Sequence, residues 1–254
     1  MATDLKGKIV LITGASTGIG AAAARAFARE GSKLIIHYNA SCDAAEAVAA
    51  DIRAMGTSAT LVAGDVTKAA NIAAIIRKAV AVHGRIDVLV NNAGGMIGRT
   101  RIEDYTEDYL SQVIALNVTQ VALFMREVVP MMRRQKSGNI INVTSIAARH
   151  GGGGGAVVYA GAKGFISTAT RGWAKEVVGD GIRVNAVSPG VITTPFHERY
   201  TTAEQMETMR QMIPMGRLGT ADECAGTFIY LASDALSGYV TGQVIEVNGG
   251  QYMP

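Results

Sequence analysis

Thr13-Gly14-Ala15-Ser16-Thr17-Gly18-Ile19-Gly20 is the stretch on which the fold turns. It leaves a short β-branched run, 8–13 (KIVLIT), and enters an Ala-rich, helix-prone segment, 18–30. Glycines at a strand-to-helix junction let the backbone approach a pyrophosphate, and the helix N-terminus stabilises its charge. Alone, such a stretch is a tight turn. Here strand, glycines and helix coincide at the head of a strand–helix–strand pattern, which makes it a nucleotide-binding signal.

The pattern continues outward. Strand-like runs at 33–38 (KLIIHY), 59–63, 87–90 (DVLV), 139–144 (NIINVT), 183–187 (RVNAV) and 244–247 alternate with helical stretches. The helical stretches are 44–55, 69–82, 108–134, 159–178, 203–212 and 221–232. Strict alternation predicts an α/β fold: a doubly wound parallel sheet (Rossmann fold) of about seven strands with helices on both faces. The strands read as continuous apolar runs because both faces are covered. No linker divides the chain, so one domain over 1–254 is expected. Pro130 is expected to kink or restart the long helix near its end. The glycine run 151–155 reads either as a flexible loop or as a loop on the substrate side.

The 254 residues are 48% hydrophobic, enough for a large core. Glycine, at 30 residues, is well above its usual share of ~7% and fits tight turns and close backbone approaches. A formal charge of +3 without a basic stripe argues against nucleic acid. The densest basic cluster, Arg126, Arg133, Arg134 and Lys136, reads as a solvated helix end complementing the dipole, with an acidic partner as the alternative. Cys42 and Cys224 give neither a disulfide framework nor metal-ligand spacing, so no metal is expected and a reduced, cytoplasmic compartment is. Residues 1–8 lack a signal-peptide pattern, and no uninterrupted apolar run is long enough to span a membrane.

Four residues are candidates for chemistry, although a Tyr and Lys four apart also arise by chance as an ordinary surface pair. Tyr159 and Lys163 are four apart on one helix and share a face. An ammonium near a phenol favours phenolate, which tunes Tyr159 toward proton transfer. Ser145 ends the preceding strand, where a hydroxyl can bind a substrate carbonyl or simply cap a turn. Asn117 stands in a helix it does not favour, either as a tolerated surface residue or as a buried amide holding a water. Asp65 follows the third strand and reads as an acceptor for an adenine amino group or as a helix cap. Asn91-Asn92-Ala93-Gly94 ends the fourth strand at the sheet edge where open α/β sheets bind ligands.

Taken together these motifs resemble the short-chain dehydrogenase/reductase family, in order and over essentially the whole chain. The resemblance implies that Asn117, Ser145, Tyr159 and Lys163 form its catalytic tetrad. It implies cofactor contacts from Gly14, Ser16, Thr17, Gly18, Ile19 and Gly20 in the first turn, and from Tyr38, Asn39 and Ser41 after the second strand. Further contacts fall on Asp65, Val66, Asn91, Ala93 and Gly94, and on Pro189, Gly190, Ile192 and Thr194 beside the nicotinamide. The implied reaction is hydride transfer between nicotinamide and a carbonyl or secondary alcohol. Ser145 would hold the oxygen and Tyr159 pass the proton, while Lys163 binds the ribose and Asn117 a water. A cofactor-binding regulator without catalysis is the alternative of another class, and the intact Ser145, Tyr159 and Lys163 argue against it.

The second strand ends without the carboxylate that NAD-specific sites place on the ribose, and without a basic residue. Tyr38 stands in the acid's place, and Asn39 and Ser41 are donors, so NADP is the expected cofactor, with NAD open. The nearest subgroup is the 3-oxoacyl-acyl-carrier-protein reductases. Asn139 and Asp180, where carrier-docking basic residues are expected, and one extra residue between Ser145 and Tyr159 leave a sugar, polyol or small ketone as the competitor. A substrate lid is expected at about 191–216, with Phe196, His197, Tyr200, Met206, Met209, Met212 and Met215. Its methionines read as packing in preference to pocket, and His197 as a lid residue, not a catalyst. A homotetramer or homodimer is implied, through helices carrying Val121, Phe124, Phe165 and Trp173.

Overall fold

The computed structural model describes residues 2–254. Its strands are β1 (Ile9–Ile12), β2 (Lys33–Tyr38), β3 (Ala59–Ala63), β4 (Val88–Asn91), β5 (Gly138–Val143) and β6 (Ile182–Pro189). Two short strands, β7 (Ile192–Thr193) and β8 (Gly219–Thr220), precede β9 (Val244–Val247). Seven of them form one parallel sheet in the order β3-β2-β1-β4-β5-β6-β9, the doubly wound arrangement expected.

Side-chain alternation along the strands divides the interior into two cores. Val10, Ile12, Leu34, Ile36 and Ile141 face one way, against α1 (Gly18–Arg29), α2 (Cys42–Ala54) and a later helix with Phe228. Ile9, Leu11, Ile35 and Ile140 face the other way, against α3 (Ala69–His83) and two later helices. Those helices are α5 (Gln120–Gln135) and α7 (Val157–Val177), which follow α4 (Glu107–Ile114) and α6 (Ala147–His150). The helix with Phe228 is α10 (Ala221–Ala232), after α8 (Pro195–Tyr200) and α9 (Ala203–Gln211), and α11 (Asp234–Ser237) follows it. Phe27, Phe124 and Phe228 are fully buried, and each such ring stabilises the fold by ~2–3 kcal/mol.

Pro130 neither ends nor restarts its helix; α5 runs on to Gln135. Val128, Met131 and Met132 flank the proline and are buried in the core, and this packing outweighs the lost backbone bond. The irregularity lies earlier, in a π-turn over Ala115–Thr119 that joins α4 to α5. The composite helix Glu107–Gln135 is long and apolar enough by composition to cross a membrane, which no uninterrupted apolar run in the sequence revealed. Its inner face, with Val121, Phe124 and Val128, is packed on the sheet as core. Cys42 is exposed and Cys224 buried, both as free thiols.

The sheet reverses direction of growth between β1 and β4, which pair directly. A seam of polar groups closes their ends. Thr13 Oγ1 accepts from the amides of Asn92 (3.0 Å) and Ala93 (2.9 Å). Asn92 Nδ2 donates to the carbonyls of Thr13 and Gly14, both at 2.9 Å. Gly20 lies against this seam, and a Cβ there would overlap Gly14 O and Asn92 Nδ2. Gly20 is therefore needed for close packing of α1 on the turn. Gly20→Ala should lower stability by about 1–3 kcal/mol, read as a lower urea midpoint at unchanged slope; a midpoint within error of wild type would remove this account of the seam.

Candidate active site

Where a doubly wound sheet reverses, the loops leave the strand ends in opposite directions and a crevice opens between them. Here it is a cavity of about 1030 Å³. Its lining runs from Gly14, Thr17 and Ser41 at one end to Tyr159, Phe196 and Met212 at the other.

One end is the N-terminus of α1, whose first amides have no partner within the helix. Ser16, Thr17, Gly18 and Ile19 line it with Asn39 and Ser41, and Asp65 and Val66 complete that end. Asp65 Oδ1 accepts from Thr67 N (2.9 Å) and Oγ1 (2.7 Å), which holds its pKa below the ordinary value. It caps this local turn; Lys68, not Asp65, precedes α3. Ala93, Gly94, Pro189, Gly190, Ile192 and Thr194 line the cavity further along.

Three expected contacts lie elsewhere. Tyr38 does not line the cavity; its hydroxyl is 3.5 Å from Cys42 Sγ, because alternation along β2 turns residue 38 away and residues 37 and 39 toward the crevice. Asn91 is buried in β4 with its Nδ2 on Asn142 Oδ1 at 2.9 Å, and Asn92 takes the crevice position instead. Gly20 lies behind the turn, packed as described above.

The chemistry end is built by the tip of β5 against α7. Lys163 is buried, and its Nζ donates to Val143 O at 2.8 Å. Thr144 Oγ1 donates to Lys163 O at 2.8 Å and is 2.7 Å from Ser167 Oγ. These bonds fix Ser145, the next residue, and Tyr159, one turn before Lys163, on the same cavity wall. Tyr159 is 8% exposed and packs among Met96, Ala147, Ala156 and Ala160, with its ring 5.8 Å from that of Phe196. Gly94 closes the site: a Cβ there would meet Asn117 Oδ1 at 2.9 Å and Lys163 Nζ at 3.1 Å.

Burial sets the charges here. It pushes the Tyr159 phenol up to about 12, with the Ser145 hydroxyl working against it, and pushes Lys163 down to about 8. The expected lowering of the Tyr159 pKa by its neighbour is absent, because desolvation of the phenolate prevails. At neutral pH Tyr159 keeps its proton. Asn117 is buried in the π-turn, and its amide is spent: Nδ2 donates to Gly95 O (2.8 Å) and Val113 O (3.0 Å), and Oδ1 accepts from Gly95 N (3.1 Å). Both N–H groups are committed, one to Gly95 and one to Val113, so the side chain ties the 95 backbone to the helix, and any water at Asn117 would have to donate to it.

The segment between β7 and β8 is an excursion clamped at its base by that two-stranded ladder, which the sequence did not reveal. Phe196, His197, Met209 and Met212 line the cavity from it, so these two methionines face the pocket and not a packed core. Tyr200 packs on Phe196 with ring centroids 5.2 Å apart, and Met215 is exposed. Burial beside Arg99 lowers the His197 pKa. Arg99, which no motif marked, donates through Nε to Tyr200 O (2.8 Å) and through Nη1 to Gly154 O (3.0 Å). It joins α8 to the glycine run, whose five residues all hold positive φ and three of which line the cavity. The donor set therefore fits a dinucleotide: orphan amides at one end, a side-chain-free cradle beside a lysine at the other.

Comparison with known proteins agrees with this geometry. The family described as Enoyl-(Acyl carrier protein) reductase matches residues 14–251. The 3-oxoacyl-[acyl-carrier-protein] reductase of a Synechocystis species is 41% identical over 99% of each chain. Among solved structures, an NADH-dependent reductase responsible for alginate metabolism, A1-R', superposes with a TM-score of 0.89 at 36% identity over 99% of both chains. The same reductase complexed with NAD gives a TM-score of 0.89 over 100% of both chains, at 36% identity. A short-chain dehydrogenase/reductase from Serratia marcescens gives 0.90 at 34% identity, covering 97% of this chain and 98% of that one.

A buried ammonium opposes folding wherever the unfolded chain holds the same proton in water. With Lys163 at about 8 against 10.5 unfolded, that penalty is full below pH 8 and is relieved as pH rises from 8 to 10.5. Lys163→Met should therefore abolish turnover yet unfold at higher temperature than wild type at pH 7, with the gap narrowing toward pH 10. A variant less stable at every pH would show that the Val143 bond outweighs desolvation.

Proposed function

The chain belongs to the short-chain dehydrogenase/reductase family and is an NAD(P)-dependent oxidoreductase of carbonyl and alcohol groups, and on that premise we propose that it reduces a 3-oxoacyl thioester with Tyr159 as the proton donor. The observation that carries the proposal is the convergence of Ser145, Tyr159 and Lys163 with the glycine turn on one cavity at the sheet's switch point.

When bound, the nicotinamide supplies the hydride. The chain's own residues do the rest. Tyr159 gives its proton to the substrate oxygen, and its raised pKa keeps that proton available at neutral pH. Ser145 donates to the same oxygen and stabilises developing charge. Lys163 uses one of three N–H donors on Val143 O, and the other two would be available to hold the ribose hydroxyls of a bound cofactor. Asn117 acts through Gly95, holding the 94–95 backbone clear of Lys163.

NADP is the proposed cofactor. Thr17, Asn39 and Ser41 line the corner beyond β2, and that strand's end carries no carboxylate to repel a 2′-phosphate. The NADH dependence of A1-R' favours NAD as the second reading. For the substrate, the apolar lining from Met96, Leu116, Phe196, Met209 and Met212 suits an acyl chain. Asn139 no longer counts against a carrier: it is 4% exposed, with Nδ2 on Leu231 O at 2.8 Å, so it reaches no docking surface. Asp180 is at the surface, paired with Arg133 at 2.7 Å. A polar sugar-derived substrate is the second reading, favoured by His150, Gln205 and Thr208 in the lining. The excursion at 191–216 serves as the substrate lid of a single domain. Exposed Leu110, Ile114, Val157 and Phe165 suit a homo-oligomer, whereas Val121 and Phe124 are core. The cytoplasm is the proposed compartment.

Reduced-nicotinamide absorbance, followed with NADH and NADPH separately, tests these assignments against acetoacetyl thioesters, small ketones and diketones, and against sugars and polyols in oxidation. NADPH-dependent thioester reduction supports both proposals; turnover confined to sugars or simple ketones rejects the thioester. Tyr159→Phe should cost about 10²–10⁴ in kcat while dinucleotide affinity stays within a few-fold. Near-normal turnover in that variant would sink the mechanism.

A further inference from the structure

His37 belongs to no motif, yet it is the side chain that fastens the cofactor turn to the sheet. It is 2% exposed and lies on β2 between the ends of β1 and β3. Gly14 N donates to its Nδ1 at 3.0 Å, and its Nε2 is 2.8 Å from Gly64 O. An amide nitrogen only donates and a carbonyl oxygen only accepts. Nδ1 must therefore carry the lone pair and Nε2 the proton, so only one neutral tautomer satisfies both bonds. Ala15 N also donates to His37 O at 2.8 Å. His37 thus takes up the amides of Gly14 and Ala15 and leaves the orphan donors of Gly18 and Ile19 at the cavity.

Resting on the dinucleotide reading above, we propose that His37 is a positioning residue for the cofactor: neutral, it holds the turn in binding shape, and proton uptake at Nδ1 releases it. A proton on Nδ1 would set N–H against the Gly14 N–H and leave that amide without an acceptor. Burial lowers the His37 pKa, so the neutral form prevails at neutral pH and the release falls in acid. Both ring partners are uncharged backbone groups. The β1 turn offers Gly14, Ser16 and Thr17, and the β2 exit offers Asn39 and Ser41. On the β3 exit Asp65 is the charged neighbour, with its carboxylate already bound to Thr67.

The test is dinucleotide affinity by NADPH and NADH fluorescence from pH 5 to 8, with thermal unfolding alongside. Wild-type Kd should be flat near neutrality and rise about tenfold per pH unit below the imidazole pKa. His37→Asn keeps an acceptor and a donor without a titrating group, so its Kd should stay flat in acid. His37→Leu leaves both backbone groups unpaired and should bind at least tenfold more weakly at every pH. An identical acid limb in His37→Asn, or wild-type affinity in His37→Leu, overturns the proposal. Ring ¹⁵N spectra of the wild type keep it falsifiable if a variant does not fold: a proton on Nε2 at pH 7 supports it, one on Nδ1 overturns it. Dinucleotide binding that ignores pH defeats this inference alone, whereas a chain that binds neither nucleotide defeats the functional reading as well.

Discussion

The Lys163 ammonium is buried at a cost in desolvation, and the site is arranged around it. Its one protein acceptor is Val143 O at the tip of β5. To present that acceptor, α7 must lie close along β5, and Thr144 and Ser167 lock it there. The same lock brings Ser145 and Tyr159 to one wall. Gly94 carries no side chain because any Cβ would crowd Lys163 and Asn117. Asn117, in turn, spends its amide on Gly95, and the π-turn gives it the inward position from which to do so. Catalytic geometry and local destabilisation thus share one origin, the usual relation where a polar site is built into a core.

The second constraint is the seam between β1 and β4. A parallel sheet that grows in both directions from one strand must leave a gap where its loops part. Thr13 and Asn92 bind the two strand ends across that gap, and His37 binds the turn from the β2 side. The amides left over are those at the N-terminus of α1, where the helix dipole favours negative charge. A cluster of unpaired donors suited to an anion is what remains when the other amides have been used.

At the far end the site is walled by the excursion between β7 and β8, which is tied at both its base and its first helix. The β7–β8 ladder clamps its base, and Arg99 ties its first helix to the glycine run. Phe196 lies against the Tyr159 ring, so the excursion also helps to keep water from the phenol and its pKa high. The cavity lining and the environment of the phenol therefore draw on the same apolar contacts.

The alternation of strands and helices, the glycine turn and the Tyr159–Lys163 pair were legible in the sequence because period, glycine spacing and an i,i+4 pair act within a few residues; Ser145, fourteen positions from Tyr159, was joined to them only by the family resemblance. The sequence could not decide which of two adjacent residues faces the crevice. Tyr38 and Asn91 turned away while His37, Asn39 and Asn92 turned in, since strand register, a property of the neighbouring strands, fixes that parity. It could not show that Asn139 is interior, that Pro130 is carried through by core packing, or that Asn117 is spent on Gly95. Nor could it set the protonation of Tyr159, where charge proximity argued one way and burial the other. Those outcomes rest on contacts between residues tens of positions apart, and only the tertiary structure brings such residues within bonding distance.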